Sequence, residues 1–125
     1  QYSQQYIKEL HIATPDENKR VIFLSGGNQQ KIVVAKWLMS DSEVIILDEP
    51  TRGIDVGAKR EIYELINDLA RAGKAVIVIS SDMEEVLGIS DRIAVMPEGR
   101  IAGMVEKKDF SQQIISEYAI GGAKL

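Results

Sequence analysis

A serine and two glycines, Ser25-Gly26-Gly27, stand before the polar run Asn28-Gln29-Gln30-Lys31 and the apolar Ile32-Val33-Val34-Ala35. This pattern opens a helix. A helix N terminus presents backbone N–H groups and about half a positive charge to an anion. Glycines let a ligand reach the backbone. The Ser25 hydroxyl and the Asn28 amide add directed donors. A second segment, Val44-Ile45-Ile46-Leu47, runs into Asp48-Glu49-Pro50-Thr51. Two carboxylates just past an apolar strand can hold a metal and an attacking water beside a phosphate. Neighbours at a strand end point in different directions, so one carboxylate can face Mg²⁺ and the other the water. The C-terminal ends of strands are also where open α/β sheets place ligands. No G-x-x-x-x-G-K-[ST] phosphate loop occurs in the chain. The residues are parts of a nucleotide site and not the whole of one.

Each feature has a plainer reading. Ser25-Gly26-Gly27 can be a loop and an N-cap, and Asp48-Glu49 a solvated acidic turn. Ser81, also at the end of a strand, reads as an N-cap. His11 reads as a surface residue, Trp37 as a core residue and Lys107-Lys108 as a solvated pair.

The 125 residues suffice for one domain with a core. A hydrophobic share of 45% and a charged share of 27% are ordinary for a globular chain. A net charge of −4, with no long Lys/Arg cluster, argues against nucleic acid as a partner. The lack of cysteine excludes a disulfide framework and a thiolate nucleophile or metal site. Apolar runs are too short to span a membrane. The opening Gln1-Tyr2-Ser3, without an initiator methionine, reads as a start inside a longer protein.

The elements that would position these residues follow from periodicity. Residues 1–12 predict a short amphipathic helix, and Pro15 with the charged run 16–20 a loop. Ser25 caps a helix to about Met39, whose apolar end predicts burial. Asp41-Ser42 is a turn, and 44–47 a buried strand. Asp55 caps a helix with the stripe Ile62, Leu65, Ile66 and Leu69, and Gly73 lies just past its end. Residues 75–79 predict a second buried strand. Ser81 and Glu84 predict a capping box for a helix with Met83, Val86 and Leu87 inward. Residues 92–96 and 100–105 predict strands about a Pro97-Glu98-Gly99 turn, and Ser111 opens a last helix with Ile114, Ile115 and Tyr118. The alternation predicts an α/β fold with a parallel sheet.

Against these elements, Leu24 to Lys31 resembles the signature motif of ABC-transporter ATPases. Ile46 to Thr51 looks like their Walker B strand with its catalytic glutamate, and Arg52-Gly53-Ile54-Asp55 like their D-loop. Ile79-Ser80-Ser81-Asp82 falls where their switch strand ends. Four motifs in register over about residues 20–105 make the resemblance specific. The runs 28–31, 50–59 and 80–86 are similar to the second nucleotide-binding half of bacterial importers of the ribose, xylose, galactose and arabinose type. The resemblance implies a partial P-loop NTPase core: parallel strands, a C-terminal β-hairpin, flanking helices and no phosphate-loop strand. Residues 1–24 would end the helical subdomain, 25–106 carry the motifs, and 107–125 form the last helix and tail.

The resemblance also implies roles. Ser25, Gly26, Gly27 and Asn28 would contact the γ-phosphate of an ATP held by the other half's phosphate loop. Asp48 would bind Mg²⁺, Glu49 would polarise the attacking water, and Asp55 would bridge the halves. Two positions depart from the wider family. Ser81 stands at the switch histidine, and serine cannot hold a proton as imidazole does. Asn28 stands at the usual glutamine. The serine implies a weak or idle Glu49 site, with the Ser25 signature serving the stronger one. Implied partners are the first ATPase half of the same polypeptide, membrane permease subunits and, indirectly, a periplasmic sugar-binding protein. The implied place is peripheral, on the cytoplasmic face of the bacterial inner membrane. ABC-type ATPases of DNA repair or ribosome function, and a non-catalytic regulatory half, are the alternative classes. With the phosphate-loop strand missing, the strand at 75–79 is expected to leave an edge open. Either the strand at 92–96 moves in beside it or two chains form a homodimer, the outcome favoured here.

Overall fold

Parallel pairing of β1 (Val44–Asp48) with β2 (Ala75–Ile79) organises the N-terminal part of the chain, in register from Val44↔Ala75 to Asp48↔Ile79. The computed structural model describes residues 2–121, so Gln1 and the tail after 121 lie outside the described residues. The chain divides into two compact units between Ile79 and Ser80.

The first unit holds α1 (Tyr2–Glu9), a 3₁₀ turn at Val21–Phe23, α2 (Gly26–Met39), β1, α3 (Val56–Arg71) and β2. Runs of Val and Ile favour strands at 44–47 and 75–79. The helix between them starts where Asp55 Oδ1 accepts from Ala58 N at 3.0 Å. It ends before Gly73, whose φ of 91° needs glycine. Helix α3 packs on α2 and on β2. Its stripe buries Ile62, Ile66 and Leu69, with Leu65 half-buried, as the spacing predicts.

The strands are not buried on both faces. Ile45 and Leu47 are buried, while Val44, Ile46, Ile77 and Ile79 are at least half exposed. Register partners share a face, so Ile46 and Ile77 belong to one open apolar side. Helix α2 departs from expectation in the same way. Val34 and Ala35 are buried, but Val33, Trp37 and Met39 are exposed, and the core position predicted for Trp37 is incorrect. Both departures have one physical cause. A strand or helix buries only the face that another layer covers, and apolar composition cannot say how many layers are present.

The second unit holds α4 (Met83–Ile89), an antiparallel pair β3 (Arg92–Val95) and β4 (Gly103–Glu106), and α5 (Gln112–Gly121). Ile93, Val95 and Ile115 form its core, with Met83, Val86, Leu87, Phe110 and Tyr118 against them. The expected turn is there, with Glu98 and Gly99 both at positive φ. Pairing resumes later than predicted: Ala102 N donates to Val95 O at 2.8 Å, and β4 begins at Gly103 instead of Arg100. β3 and β4 form the expected C-terminal hairpin. Ser111 Oγ accepts from Ile114 N at 3.1 Å and opens α5 as expected. The predicted capping box at Ser81 is incorrect. Asp82 is the N-cap of α4, its Oδ1 accepting from Glu84 N at 3.0 Å and Glu85 N at 3.2 Å. A carboxylate accepts two amide hydrogens more strongly than a hydroxyl does.

Candidate functional site

Ser25 has extended backbone angles and caps α2 from just outside it. Its hydroxyl oxygen accepts from Asn28 N at 3.4 Å and from Asn28 Nδ2 at 2.7 Å. Asn28 Oδ1 accepts in turn from Ala13 N at 2.8 Å. Gln29 Nε2 donates to Leu24 O at 3.0 Å and fixes the approach to the helix. The two glycines have different surroundings. A Cβ on Gly26 would meet nothing within 4 Å, whereas one on Gly27 would stand 2.8 Å from the Ala58 Cβ. Gly26 thus leaves the helix N terminus open to a ligand. Gly27 lets the first turn of α2 lie against the first turn of α3.

Asp48 ends β1 on the exposed side. Glu49 follows with φ of 47°, a left-handed conformation that costs a non-glycine residue about 1 kcal/mol or more. The turn is held on both sides: Glu49 N donates to Ile79 O at 2.8 Å and Arg52 N to Glu49 O at 3.1 Å. Pro50 and Thr51 are buried beneath it. The two carboxylates therefore leave the strand in different directions, one exposed and one half-buried. Asp55 spends its side chain on capping α3, at an exposed position. The start of α2, the end of β1 and the start of α3 all lie in the first unit, carrying Ser25, Gly26, Gly27, Asn28, Asp48, Glu49 and Asp55. Ser81 lies in the second unit, exposed, just before the Asp82 cap. His11 is exposed as expected.

Sequence reasoning missed Lys31. It is buried, its Nζ donates to His11 O at 3.1 Å, and it forms an ion pair with Glu61 of α3. A signal was present: Lys31 precedes Val34 and Ala35 by three and four positions, so it shares their buried face.

Among the described residues no group of three or more His, Asp or Glu side chains gathers to hold a metal. Mg²⁺ needs only one or two carboxylates when phosphate oxygens and waters complete its shell. The exposed Asp48 carboxylate is compatible with that count. Among the described residues no helix is long and apolar enough to cross a membrane.

Solved ATP-binding cassettes share this fold. A nucleotide-free ATP-binding cassette from an ABC transporter matches with a TM-score of 0.80 at 23% identity, over 96% of this chain and 49% of that one. A dimeric bacterial ABC transporter cassette matches with a TM-score of 0.72 at 24% identity, over 87% and 47%. The ABC transporter family model matches residues 2–52. Two curated relatives are much nearer in sequence. The ribose import ATP-binding protein RbsA of Clostridium perfringens is 58% identical over 118 residues, 94% of this chain and 24% of that protein. The xylose import ATP-binding protein XylG of Thermoanaerobacter pseudethanolicus is 57% identical over 121 residues, 97% and 24%. The chain belongs to the ABC-transporter ATP-binding proteins and is closely related to the ribose and xylose import ATPases. It spans about a quarter of the length of the curated relatives it matches.

Proposed function

We propose that this chain is the signature-bearing part of one nucleotide-binding half of a bacterial monosaccharide importer, and that the whole protein couples ATP hydrolysis to sugar uptake. The observation that carries this reading is 58% identity, sustained over 94% of the chain, to a protein named for ribose import. Ser25 and Gly26, at the open N terminus of α2, contact the γ-phosphate of an ATP whose phosphate loop lies on the opposite half. Gly27 keeps that helix start against α3. Asp48 holds Mg²⁺ directly or through water, and Glu49 polarises the attacking water. When bound, Mg²⁺ neutralises charge on the transferred phosphoryl group. Asp55 caps α3 and bridges the halves. Ser81 cannot take up a proton as a histidine would, so the Glu49 site is the weaker of the two. The partners are the other ATPase half, permease subunits and a periplasmic sugar-binding protein, on the cytoplasmic face of the membrane. The same serine favours a second reading, in which this half binds nucleotide and regulates without turning it over.

The test is ATP turnover by the full-length protein in vesicles with its permease and binding protein. Ribose, xylose, galactose or arabinose is expected to stimulate hydrolysis. Turnover indifferent to all four sugars would contradict the assignment.

A further inference from the structure

We propose that Asn28 is a positioning residue that orients the Ser25 hydroxyl toward the phosphate, and not a phosphate contact itself. The inference rests on the reading above, in which Ser25 meets the γ-phosphate. It follows from which groups can donate. Ala13 N–H can only donate, so the amide atom 2.8 Å from it is the oxygen of Asn28. The nitrogen then faces Ser25 Oγ at 2.7 Å, and as an amide NH₂ it too can only donate. The Asn28 backbone N–H donates to the same oxygen at 3.4 Å. Both bonds use lone pairs of the hydroxyl, and neither uses its hydrogen. The O–H is thereby turned away from the protein side, and Ser25 is exposed there.

The anchor of this relay is itself fixed. His11 O accepts from the buried Lys31, which also pairs with Glu61, and Ile12 is buried between His11 and Ala13. Ala13 thus sets the Asn28 amide, and the amide sets the hydroxyl. A donor already aimed at an oxyanion needs no reorganisation when the anion arrives. Asparagine suits this role because its one-carbon stem spans a single turn of the helix, from its own position back to the cap.

A double-mutant cycle in the full-length protein tests the assignment. Asn28→Ala removes both side-chain bonds, from Ala13 N and to Ser25 Oγ, and leaves the backbone N–H of residue 28 on the hydroxyl. Asn28→Asp keeps an acceptor for Ala13 N–H but reverses the second bond, because a carboxylate can only accept and draws the Ser25 hydrogen inward. Each is expected to lower kcat about tenfold with the KM for ATP changed less than about twofold. In a Ser25→Ala background each should lower kcat by no more than about twofold further, because the residue acts through the hydroxyl. Equal losses in both backgrounds would overturn the proposal, as would a full-rate Asn28→Ala or a full-rate Asn28→Asp. A Ser25→Ala enzyme with unchanged turnover would instead refute the phosphate role of Ser25, on which the proposal stands.

Discussion

At Gly27 an added methyl would stand 2.8 Å from the Ala58 Cβ, and at Gly26 it would meet nothing within 4 Å. The two neighbours therefore answer the same substitution differently. Gly27→Ala forces α2 and α3 apart and should cost about 1–3 kcal/mol, read as a lower denaturant midpoint. Gly26→Ala should keep stability within about 0.5 kcal/mol. In the full-length protein it should still lower ATP turnover, because under the proposed function the methyl occupies space the phosphate needs. Comparable stability losses in the two variants would contradict the packing role of Gly27. Residue types alone placed both glycines at a helix start. Which one packs and which one faces a ligand was hidden, because it depends on Ala58, thirty-one positions away. The burial of Lys31 was legible from its spacing to Val34 and Ala35, but its partners, His11 O and Glu61, were hidden because they are distant in sequence.

Helix starts and turns are encoded locally, and most of them were legible. Ser25, Asp55 and Ser111 cap α2, α3 and α5 as their positions predict, and the Glu98-Gly99 turn falls between β3 and β4. The exception is α4, where two candidate caps are adjacent and the carboxylate of Asp82 wins over Ser81. Asp82→Ala should cost about 1 kcal/mol, whereas Ser81→Ala should cost less than about 0.5 kcal/mol. Thermal melting of the two variants decides it, and a larger loss at Ser81 would restore the capping box. Gly103 offers a second test of packing at this scale. A Cβ there would stand 2.6 Å from the Tyr118 ring, so Gly103→Ala should destabilise the second unit by about 1–3 kcal/mol. A midpoint unchanged in that variant would contradict the close approach of β4 and α5.

For the whole molecule, the uncovered side of the β1–β2 sheet is the main feature that composition did not reveal. Strand runs rich in Val and Ile read as buried on both faces, yet Val44, Ile46, Ile77 and Ile79 remain exposed. Among the described residues β2 also pairs with β1 alone, so one of its edges has no strand beside it. An apolar face next to an open edge promotes pairing between chains. The 125-residue chain by itself should dimerise as its concentration rises, and light scattering that stays at the monomer mass would contradict this. It should also bind Mg-ATP very weakly, since no phosphate loop is present to hold the β- and γ-phosphates. A micromolar dissociation constant in calorimetry would mean that the nucleotide contacts lie elsewhere. Under the proposed function, the N terminus of α2 in the complete protein closes over an ATP on the opposite half. Steady-state hydrolysis by full-length Ser25→Arg and Glu49→Gln tests it most directly. Under the proposed function arginine at 25 fills the space of the γ-phosphate at the stronger site, while loss of Glu49 touches only the weaker one. Ser25→Arg is predicted to be the more damaging substitution, and an enzyme in which Glu49→Gln is the more severe would contradict the account.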